Sequence, residues 1–314
     1  FKFKHTNEIW TGVPIFSANM DTTGTFETAI TLQKHKMLTA IHKFYSIKDW
    51  EKNVEKLDPN FISVTVGQSK EDLQLGQKIF SLNNDIKYLC IDVANGYRED
   101  FINSVKNYRE TFPDKIIIAG NVATREMTEA LILAGADIVK IGIGPGSVCT
   151  TRSVAGVGYP QLSSISECSD AAHGLGGHVM ADGGCKYPGD VSKAFGAGAD
   201  YVMVGGMFAG HKESGGELVT DEEGVQYKDF YGMSSTKAQQ TYYGDLAEHR
   251  APEGKKVRLR YKGELDKTVQ SILGGMRSAC SYVGAKKLKD LPKSTTFIRV
   301  TQTTNEIFTG SENI

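Results

Sequence analysis

Eight short apolar runs, spaced along the chain as far as residue 204, constrain the fold more than any other feature. They are nearly continuous rather than alternating in polarity, and small or polar residues follow each one. Strands that are buried on both faces have this pattern, which is typical of parallel sheets. We therefore expect eight buried strands, at residues 13–16, 38–41, 61–66, 88–93, 116–119, 138–141, 178–181 and 201–204.

Helical patterns lie between most of these runs. Ser69 and Asp72 have the spacing of a capping box, and Gly135 and Gly198 fall where a helix should end. The alternation of strand and helix predicts parallel βαβ units, and eight units predict a closed (β/α)8 barrel of the TIM type. A doubly wound open sheet is the alternative, but no G-x-G-x-x-G follows any of the strands. The predicted helices are 24–36, 69–82, 99–111, 124–134, 161–173, 188–197, 265–276 and a short one at 286–291.

The pattern changes after residue 210. Residues 213–228 are polar with a glycine pair and predict a hairpin, while 236–263 shows little apolar periodicity. A loop this long in a compact domain is usually an active-site lid or a binding loop. We expect a single barrel domain over 1–314, in which 211–263 forms a hairpin and a mobile lid after the eighth strand. Because the chain starts at Phe1 without a methionine, we also expect that an N-terminal segment is missing.

Composition argues against several classes of protein. Lys and Arg total 36 against 37 for Asp and Glu, so the bulk charge does not favour a nucleic-acid partner. No stretch has the apolar length of a membrane span and no signal peptide is visible, so we expect no membrane partner and a cytoplasmic location. Five cysteines, odd in number and without CxxC spacing, argue against a disulfide framework or a zinc site.

The loop at 142–152, after the sixth run, combines three glycines with a cysteine, two threonines and an arginine. The glycines let the backbone approach a ligand closely. Cys149 would then be an exposed nucleophile whose thiolate is favoured by cationic charge and backbone N–H groups. A tight turn around a buried cysteine is the structural alternative. The carbonyls of Gly144, Gly146 and Cys149 could also hold a monovalent cation.

Other chemistry is expected at the ends of the remaining strands, where barrel enzymes have their sites. The glycine pairs 183–184 and 205–206 follow the seventh and eighth runs, which is the usual position of a bound phosphate. Asp182 could accept from a sugar hydroxyl and Lys43 could meet a cofactor phosphate, although each could be only a polar strand end. The basic run 255–262 is more simply a solvated hairpin strand than a nucleic-acid strip.

Several of these stretches together resemble the IMP dehydrogenase and GMP reductase superfamily over nearly the whole chain. The matching motifs are SANMD at 17–21, DVANG at 92–96, GPGSVCTTR at 144–152, DGG at 182–184 and GGMFAG at 205–210.

Four features resemble the GMP reductase branch of that superfamily. The barrel continues directly after residue 46, where a dehydrogenase usually carries a regulatory domain pair. Cys185 with Pro-Gly-Asp at 188–190, YGMSS at 231–235 and RAPEG at 250–254 also match the reductases. The chain departs from the family's usual pattern at Phe44, where many members have His, and at Arg260, where members usually have Pro.

The resemblance implies the reaction of GMP and NADPH to IMP, NADP and ammonia. Cys149 would attack C2 of the guanine and form a covalent thioimidate, while Thr151 and Glu253 would supply the proton that ammonia needs. An IMP dehydrogenase lacking its regulatory pair and a non-catalytic purine nucleotide sensor are the alternatives.

The resemblance also implies three sets of ligand residues. The substrate set is Ser147, Asp182, Gly183, Gly184, Gly205, Gly206, Gly232, Met233, Ser234, Arg250, Ala251, Pro252 and Gly254. The cofactor set for NADPH is Lys43, Asp92, Val93, Ala94, Ile143, Gly144, Met233, Ser278, Ala279, Cys280 and Ser281. A potassium site would comprise Gly144, Gly146, Cys149 and Arg152. Residues 278–281 would serve a neighbouring subunit, which implies a homo-oligomer, usually a tetramer.

Overall fold

A closed barrel of eight parallel strands forms the centre of the molecule, in a computed structural model that describes residues 1–244 and 251–301. The strands follow one another around the barrel in chain order, and β1 closes it by pairing with β8, Phe16 lying opposite Met203. Each strand overlaps its predicted run, so the (β/α)8 prediction is confirmed. The strands are β1 (Ile15–Ser17), β2 (Leu38–Ile41), β3 (Ile62–Val66), β4 (Tyr88–Asp92), β5 (Ile116–Val122), β6 (Ile138–Ile141), β7 (His178–Asp182) and β8 (Tyr201–Val204).

Helices surround the barrel, and three of the described ones were not predicted. The first is α2, which begins with a capping box of its own: Asp49 N donates to Ser46 Oγ and Ser46 N donates to an Asp49 carboxylate oxygen. The helix has only seven residues, too few to show a period. The described helices are α1 (Phe26–Leu32), α2 (Ile47–Asn53), α3 (Lys70–Leu82), α4 (Glu99–Thr111), α5 (Arg125–Ala134), α6 (Thr151–Val154), α7 (Gln161–Gly174), α8 (Pro188–Gly196), α9 (Thr236–Tyr243), α10 (Asp266–Val283) and α11 (Leu291–Ser294).

Apolar side chains fill the barrel and separate it from the helices. Inside, Phe16, Tyr88 and Tyr201 pack on Trp10, whose indole donates to the carbonyl of Asn60 at 2.8 Å. Trp10 therefore covers the end of the barrel where the strands begin. Full burial of one large apolar side chain stabilises the fold by about 1.5–3 kcal/mol. The barrel is thus a packed core that leaves only its opposite end for chemistry.

A small antiparallel sheet and a helix follow β8. The sheet consists of β9 (Leu218–Thr220), β10 (Gln226–Tyr231) and β11 (Lys256–Arg260), with β10 in the centre. A hairpin was correctly expected here, but its strands span 218–231 rather than 213–228. The basic run at 255–262 is the solvated strand β11. Another unpredicted helix, α9, lies where little periodicity was seen, and Ser235 Oγ caps it by accepting from Ala238 N. The four-residue helix α6, within the cysteine loop, was not predicted either.

Residues 1–244 and 251–301 contain neither a membrane-spanning helix nor a cluster of metal-binding side chains. None of the helices there has the length and apolar character that crossing a membrane requires. The five cysteines are free thiols, two of them, Cys90 and Cys168, fully buried. No cluster of three or more His, Cys, Asp or Glu side chains could hold a metal ion in this part of the chain.

The glycine that ends α5 should be needed for stability. Gly135 has φ 123°, and an added Cβ would lie 2.7 Å from the Cβ of Arg109. We expect Gly135→Ala to lower the free energy of unfolding by more than about 1 kcal/mol, measured by urea denaturation. Gly174 ends α7 with open space around it. Gly174→Ala is the matched control and should stabilise by up to about 1 kcal/mol or change nothing. Equal losses in both variants would contradict this reading.

Candidate active site

Predicted functional stretches from five strands meet at the barrel end where the parallel strands finish. Asp92 ends β4, Asp182 ends β7, the loop 142–152 follows β6 and the glycine pair 205–206 follows β8. Lys43 follows β2 at the same rim, and its charge acts on Asp92. Because the strands of a parallel barrel all end on one side, residues far apart in sequence converge here.

The cysteine loop is fixed by one buried side chain and one turn. Val148 packs against Ala209 and Phe230. The amide of Cys149 donates to the carbonyl of Gly146 at 3.1 Å, which closes the turn. Cys149 itself is partly exposed, unlike the fully buried Cys90 inside the barrel. Its position fits a reactive thiol better than a packing residue.

Residues 253–255, which we call the strap, pair with the cysteine loop. Lys255 N donates to the carbonyl of Val148 at 2.9 Å, and Thr150 N donates to the carbonyl of Glu253 at 3.0 Å. Gly254 therefore lies opposite Cys149 as an antiparallel bridge. These two backbone bonds hold the side chain of Glu253 beside the cysteine.

The other edge of the strap pairs with residues 232–235, which follow β10. Glu253 N donates to the carbonyl of Ser234 at 3.1 Å, and Gly232 N donates to that of Lys255 at 3.2 Å. A Cβ on Gly254 would lie 2.9 Å from Ser235 N, so a larger residue does not fit at this position. The predicted substrate residues Gly232, Ser234 and Gly254 are thus brought together with the cysteine loop.

A chain of hydrogen bonds joins the cysteine to the strap carboxylate. Thr151 Oγ1 donates to Glu253 Oε2 at 2.6 Å and lies 3.2 Å from Cys149 Sγ. With its one proton given to Glu253, the threonine oxygen can only accept from the thiol. The arrangement can carry a proton from the cysteine to the carboxylate and back.

Backbone turns after β6, β7 and β8 enclose a space suited to an anion. Gly183 and Gly184 have φ of +90° and +88°, a conformation that other residues rarely adopt. A Cβ on Gly183 would lie 3.2 Å from Gly146 N, and one on Gly206 would lie 3.0 Å from Ser147 Oγ. Amide groups and the Ser147 hydroxyl therefore face one small region, as phosphate sites of barrels do.

Two predicted ligand carboxylates share a buried lysine that the sequence did not single out. Lys140 Nζ lies 2.6 Å from Asp92 Oδ1 and 2.8 Å from Asp182 Oδ2. Asn121 Nδ2 donates to the same oxygen of Asp182 and to the carbonyl of Gly142, both at 2.9 Å. The only signal for Lys140 was a charged residue inside an apolar run, which does not reveal its partners.

The charges of this group stabilise one another. Burial alone would lower the pKa of Lys140, but the carboxylates of Asp182 and Asp92 raise it well above its ordinary value. Burial likewise opposes ionisation of Asp92, yet the ammonium of Lys140 lowers the pKa of that carboxyl. Lys140 and Asp92 are therefore both charged at neutral pH.

Two tyrosines, one at the end of β10 and one on α9, attach these elements to the rim, and sequence patterns did not indicate this. The phenols of Tyr231 and Tyr242 both donate to Asp21 Oδ2, at 2.5 and 2.6 Å. Burial and the Asp21 carboxylate raise the pKa of both phenols, so they remain donors. The Tyr242 ring stacks on Phe44 with centroids 3.6 Å apart. Phe44 is one of the two positions at which the sequence departs from the pattern that the resemblance implies.

Not every predicted ligand lies at the rim. Ser278, Ala279, Cys280 and Ser281 are on α10, in the outer layer, where that helix packs against α8. Arg250 lies outside the described residues. Met233 is partly exposed beside the strap, and Ala251 and Pro252, which precede the strap, are exposed. Ile143, Gly144 and Arg152 belong to the cysteine loop, and the remaining cofactor residues, Val93 and Ala94, follow β4.

Comparison with known proteins finds a family model that matches the chain and several proteins similar to it. The family model described as "IMP dehydrogenase / GMP reductase domain" matches residues 1–307. A GMP reductase of Buchnera aphidicola (strain Tuc7) is 56% identical over 311 residues, which cover 98% of this chain and 89% of the relative. The GMP reductase of Caenorhabditis elegans is 54% identical over 315 residues, 99% of this chain and 88% of the relative. Human GMP reductase 2 is 55% identical over 312 residues, with 98% and 89% covered.

The match spans the barrel, the cysteine loop and the strap, so it includes every part of the site described above. The chain belongs to the IMP dehydrogenase and GMP reductase family.

Proposed function

We propose that this protein is a GMP reductase, which converts GMP and NADPH to IMP, NADP and ammonia. The observation that carries the proposal is the continuous hydrogen-bond chain from Cys149 through Thr151 to Glu253. A nucleophile, a hydroxyl and a carboxylate in this order suit the exchange of an amino group at an electrophilic carbon. The names of the relatives at 54–56% identity support the same reaction.

The first half of the reaction removes the amino group. Cys149 Sγ bonds to C2 of the guanine, and its proton passes through Thr151 to Glu253. Glu253 then gives that proton to the leaving nitrogen, the C2–N bond breaks, and ammonia departs to leave a thioimidate on Cys149. General acid help of this kind accounts for roughly 10²–10⁴ in rate.

The second half reduces C2 and releases the cysteine. The bound nicotinamide cofactor supplies a hydride to C2 of the thioimidate. The C–S bond then breaks and its electrons return to Cys149 Sγ, giving IMP and the free thiolate. A proton taken up from solvent, and passed on through Glu253 and Thr151, then restores the thiol for the next cycle.

Substrate binding follows from the turns around the cysteine. The amides of 183–184 and 205–206 with Ser147 would hold the 5′-phosphate, and Asp182 would accept from the ribose hydroxyls. Asp182 has one oxygen on Lys140 and a partly exposed side chain, which fits this role. Residues 232–234 and 251–254 would close over the base as part of the lid proposed for 211–263. Arg250 belongs to the same proposal by resemblance alone.

Cofactor binding is proposed next to the substrate, at the ends of β2 and β4. Asp92 is partly exposed there and Lys43 adds positive charge, so the pair fits a ribose and a phosphate or amide group of NADPH. The backbone groups of Val93 are already bonded to Gly120 and Asn121, which leaves only its side chain for contact. Ser278–Ser281 on α10 would meet the cofactor of a neighbouring subunit in a homotetramer.

A monovalent cation such as K⁺ is proposed for the cysteine loop. In residues 1–244 and 251–301, no backbone amide donates to the carbonyl of Gly144 or of Cys149. Both oxygens are therefore available as hard ligands. The guanidinium of Arg152 donates to the carbonyl of Tyr159 and has no acceptor atom of its own. Arg152 would therefore offer the cation only its backbone carbonyl. The cation would fix the loop that carries the nucleophile.

A substrate-pair assay tests the proposed reaction. We expect the purified protein to oxidise NADPH only when GMP is present, with one ammonia released for each IMP formed. Cys149→Ala should abolish this turnover while it still binds GMP, because the phosphate and ribose contacts remain. Reduction of NAD⁺ with IMP, together with no GMP-dependent activity, would instead identify a dehydrogenase.

A carboxamide at the strap should separate catalysis from binding. Glu253→Gln keeps the size of the side chain but cannot carry the proton, so kcat should fall by roughly 10² or more. The GMP dissociation constant, measured by calorimetry, should change less than about threefold. Glu264→Gln, at an exposed carboxylate paired with Lys212, is the control and should leave both values unchanged. Parallel losses of kcat and affinity in Glu253→Gln would contradict the proton-transfer role.

A further inference from the structure

A charged side chain such as Lys140 is unexpected in a buried strand unless it has a function at the mouth of the barrel. Its side chain is only 3% exposed, and its neighbours along β6, Val139 and Ile141, are fully buried and apolar. Removing an ammonium from water is costly, and a buried lysine is tolerated only where opposite charges and hydrogen bonds compensate. A methionine would fill the same space without that cost. The position of the charge therefore needs an explanation beyond packing.

The two compensating carboxylates come from strands on either side of β6. Asp92 is on β4 and Asp182 on β7, and each gives a single oxygen to Lys140. Asn121 of β5 takes part through the Asp182 oxygen that already accepts from the lysine. The second oxygen of Asp182 is left for another donor, while Asn19 also hydrogen-bonds to Asp92. Both carboxylate side chains are partly exposed, 28% and 20%.

We propose that Lys140 is a positioning residue that fixes Asp92 and Asp182 together, and so couples cofactor binding to substrate binding. The assignment of one carboxylate to each ligand rests on the proposed function. A ligand that engages the free oxygen of Asp182 orders that carboxylate on the lysine. The shared ammonium then orders Asp92 in the orientation that the second ligand needs, so the two bind more tightly together than apart.

The lysine also sets the charge state of the site. Around its ammonium lie Asp92 and Cys90 of β4, Asp182 of β7, and Lys43 beyond β2. Without the ammonium, two carboxylates in a buried site would face each other with only Lys43 nearby. Burial and the neighbouring carboxylate would then both raise the pKa of Asp92. Protonation of Asp92 at mildly acid pH would remove the acceptor that its ligand uses.

The test compares three variants by kinetics and by calorimetry. Lys140→Met should lose on the order of 10²-fold in kcat/KM, since a misplaced positioning group has effects of this size. In the parent protein we expect calorimetry to show that GMP and the oxidised cofactor each raise the affinity for the other. Lys140→Met should lose this coupling. Lys140→Arg keeps the charge and should retain a part of kcat/KM and a part of the coupling between the two ligands. Lys115→Met is the matched control: Lys115 is also buried, but it donates to the Asn84 carbonyl at the other end of the barrel.

The pH profile separates positioning from general destabilisation. We expect kcat/KM of Lys140→Met to fall as the pH is lowered from 8 to 6, while the parent protein and Lys115→Met change little over that range. A Lys140→Met profile parallel to the parent, or ligand coupling that survives the substitution, would overturn the inference. So would a loss that Lys115→Met reproduces.

The two proposals fail in different ways. If the parent protein shows no GMP-dependent NADPH oxidation but binds both nucleotides with coupling that Lys140→Met removes, the reductase proposal fails and the role of Lys140 stands. If the parent protein turns over and Lys140→Met keeps both kcat/KM and coupling within about threefold, the role of Lys140 fails alone. If the parent protein binds neither nucleotide, both proposals are wrong.

Discussion

The site depends on two backbone hydrogen bonds between the strap and the cysteine loop. They join Val148 to Lys255 and Thr150 to Glu253, across about a hundred residues of chain. No side chain is needed for this pairing, which is why a carboxylate so distant in sequence reaches the threonine beside the cysteine. The strap is paired on its other edge with the segment after β10, so the small sheet supports the same geometry. If the pairing opens, the proton path from Cys149 to Glu253 is broken.

The barrel contributes a rigid rim on which charges and turns can be placed. Closing the barrel brings the ends of β4, β6, β7 and β8 to one side, where glycine turns leave room for an anion. The same closure forces a lysine and two aspartates into close contact. In the proposed reaction the phosphate anchor lies far from the reacting carbon, so binding energy at one end of the substrate can orient the other. The tyrosine contacts with Asp21 connect α9 to this rim.

The sequence predicted the parts of the structure that have local signals. Apolar runs located all eight strands, since a strand buried on both faces has few alternatives. The family motifs located Cys149, Thr151 and Glu253, and the structure brings these three into contact. Helix α9 and the role of Lys140 were not found. Each depends on partners from other elements, Asp21 and Phe44 in one case and Asp92 and Asp182 in the other, and no local pattern encodes such partners. The ligand sets stay predictions, including residues 278–281 on the outer helix and Arg250 outside the described residues.

In the proposed reaction, loss of ammonia leaves a covalent intermediate on Cys149, and in the reverse direction ammonia attacks C2 and displaces the cysteine. This claim can be tested in reverse by mixing the protein with IMP and NADP⁺ while ammonia is absent. The proposed reaction predicts a burst of about one equivalent of NADPH per Cys149, after which NADPH formation stops. Intact mass spectrometry of the quenched sample should show the nucleotide bound to that cysteine, and added ammonia should release it as GMP. A lack of both burst and adduct would contradict the claim, as would NADPH formation that continues without ammonia.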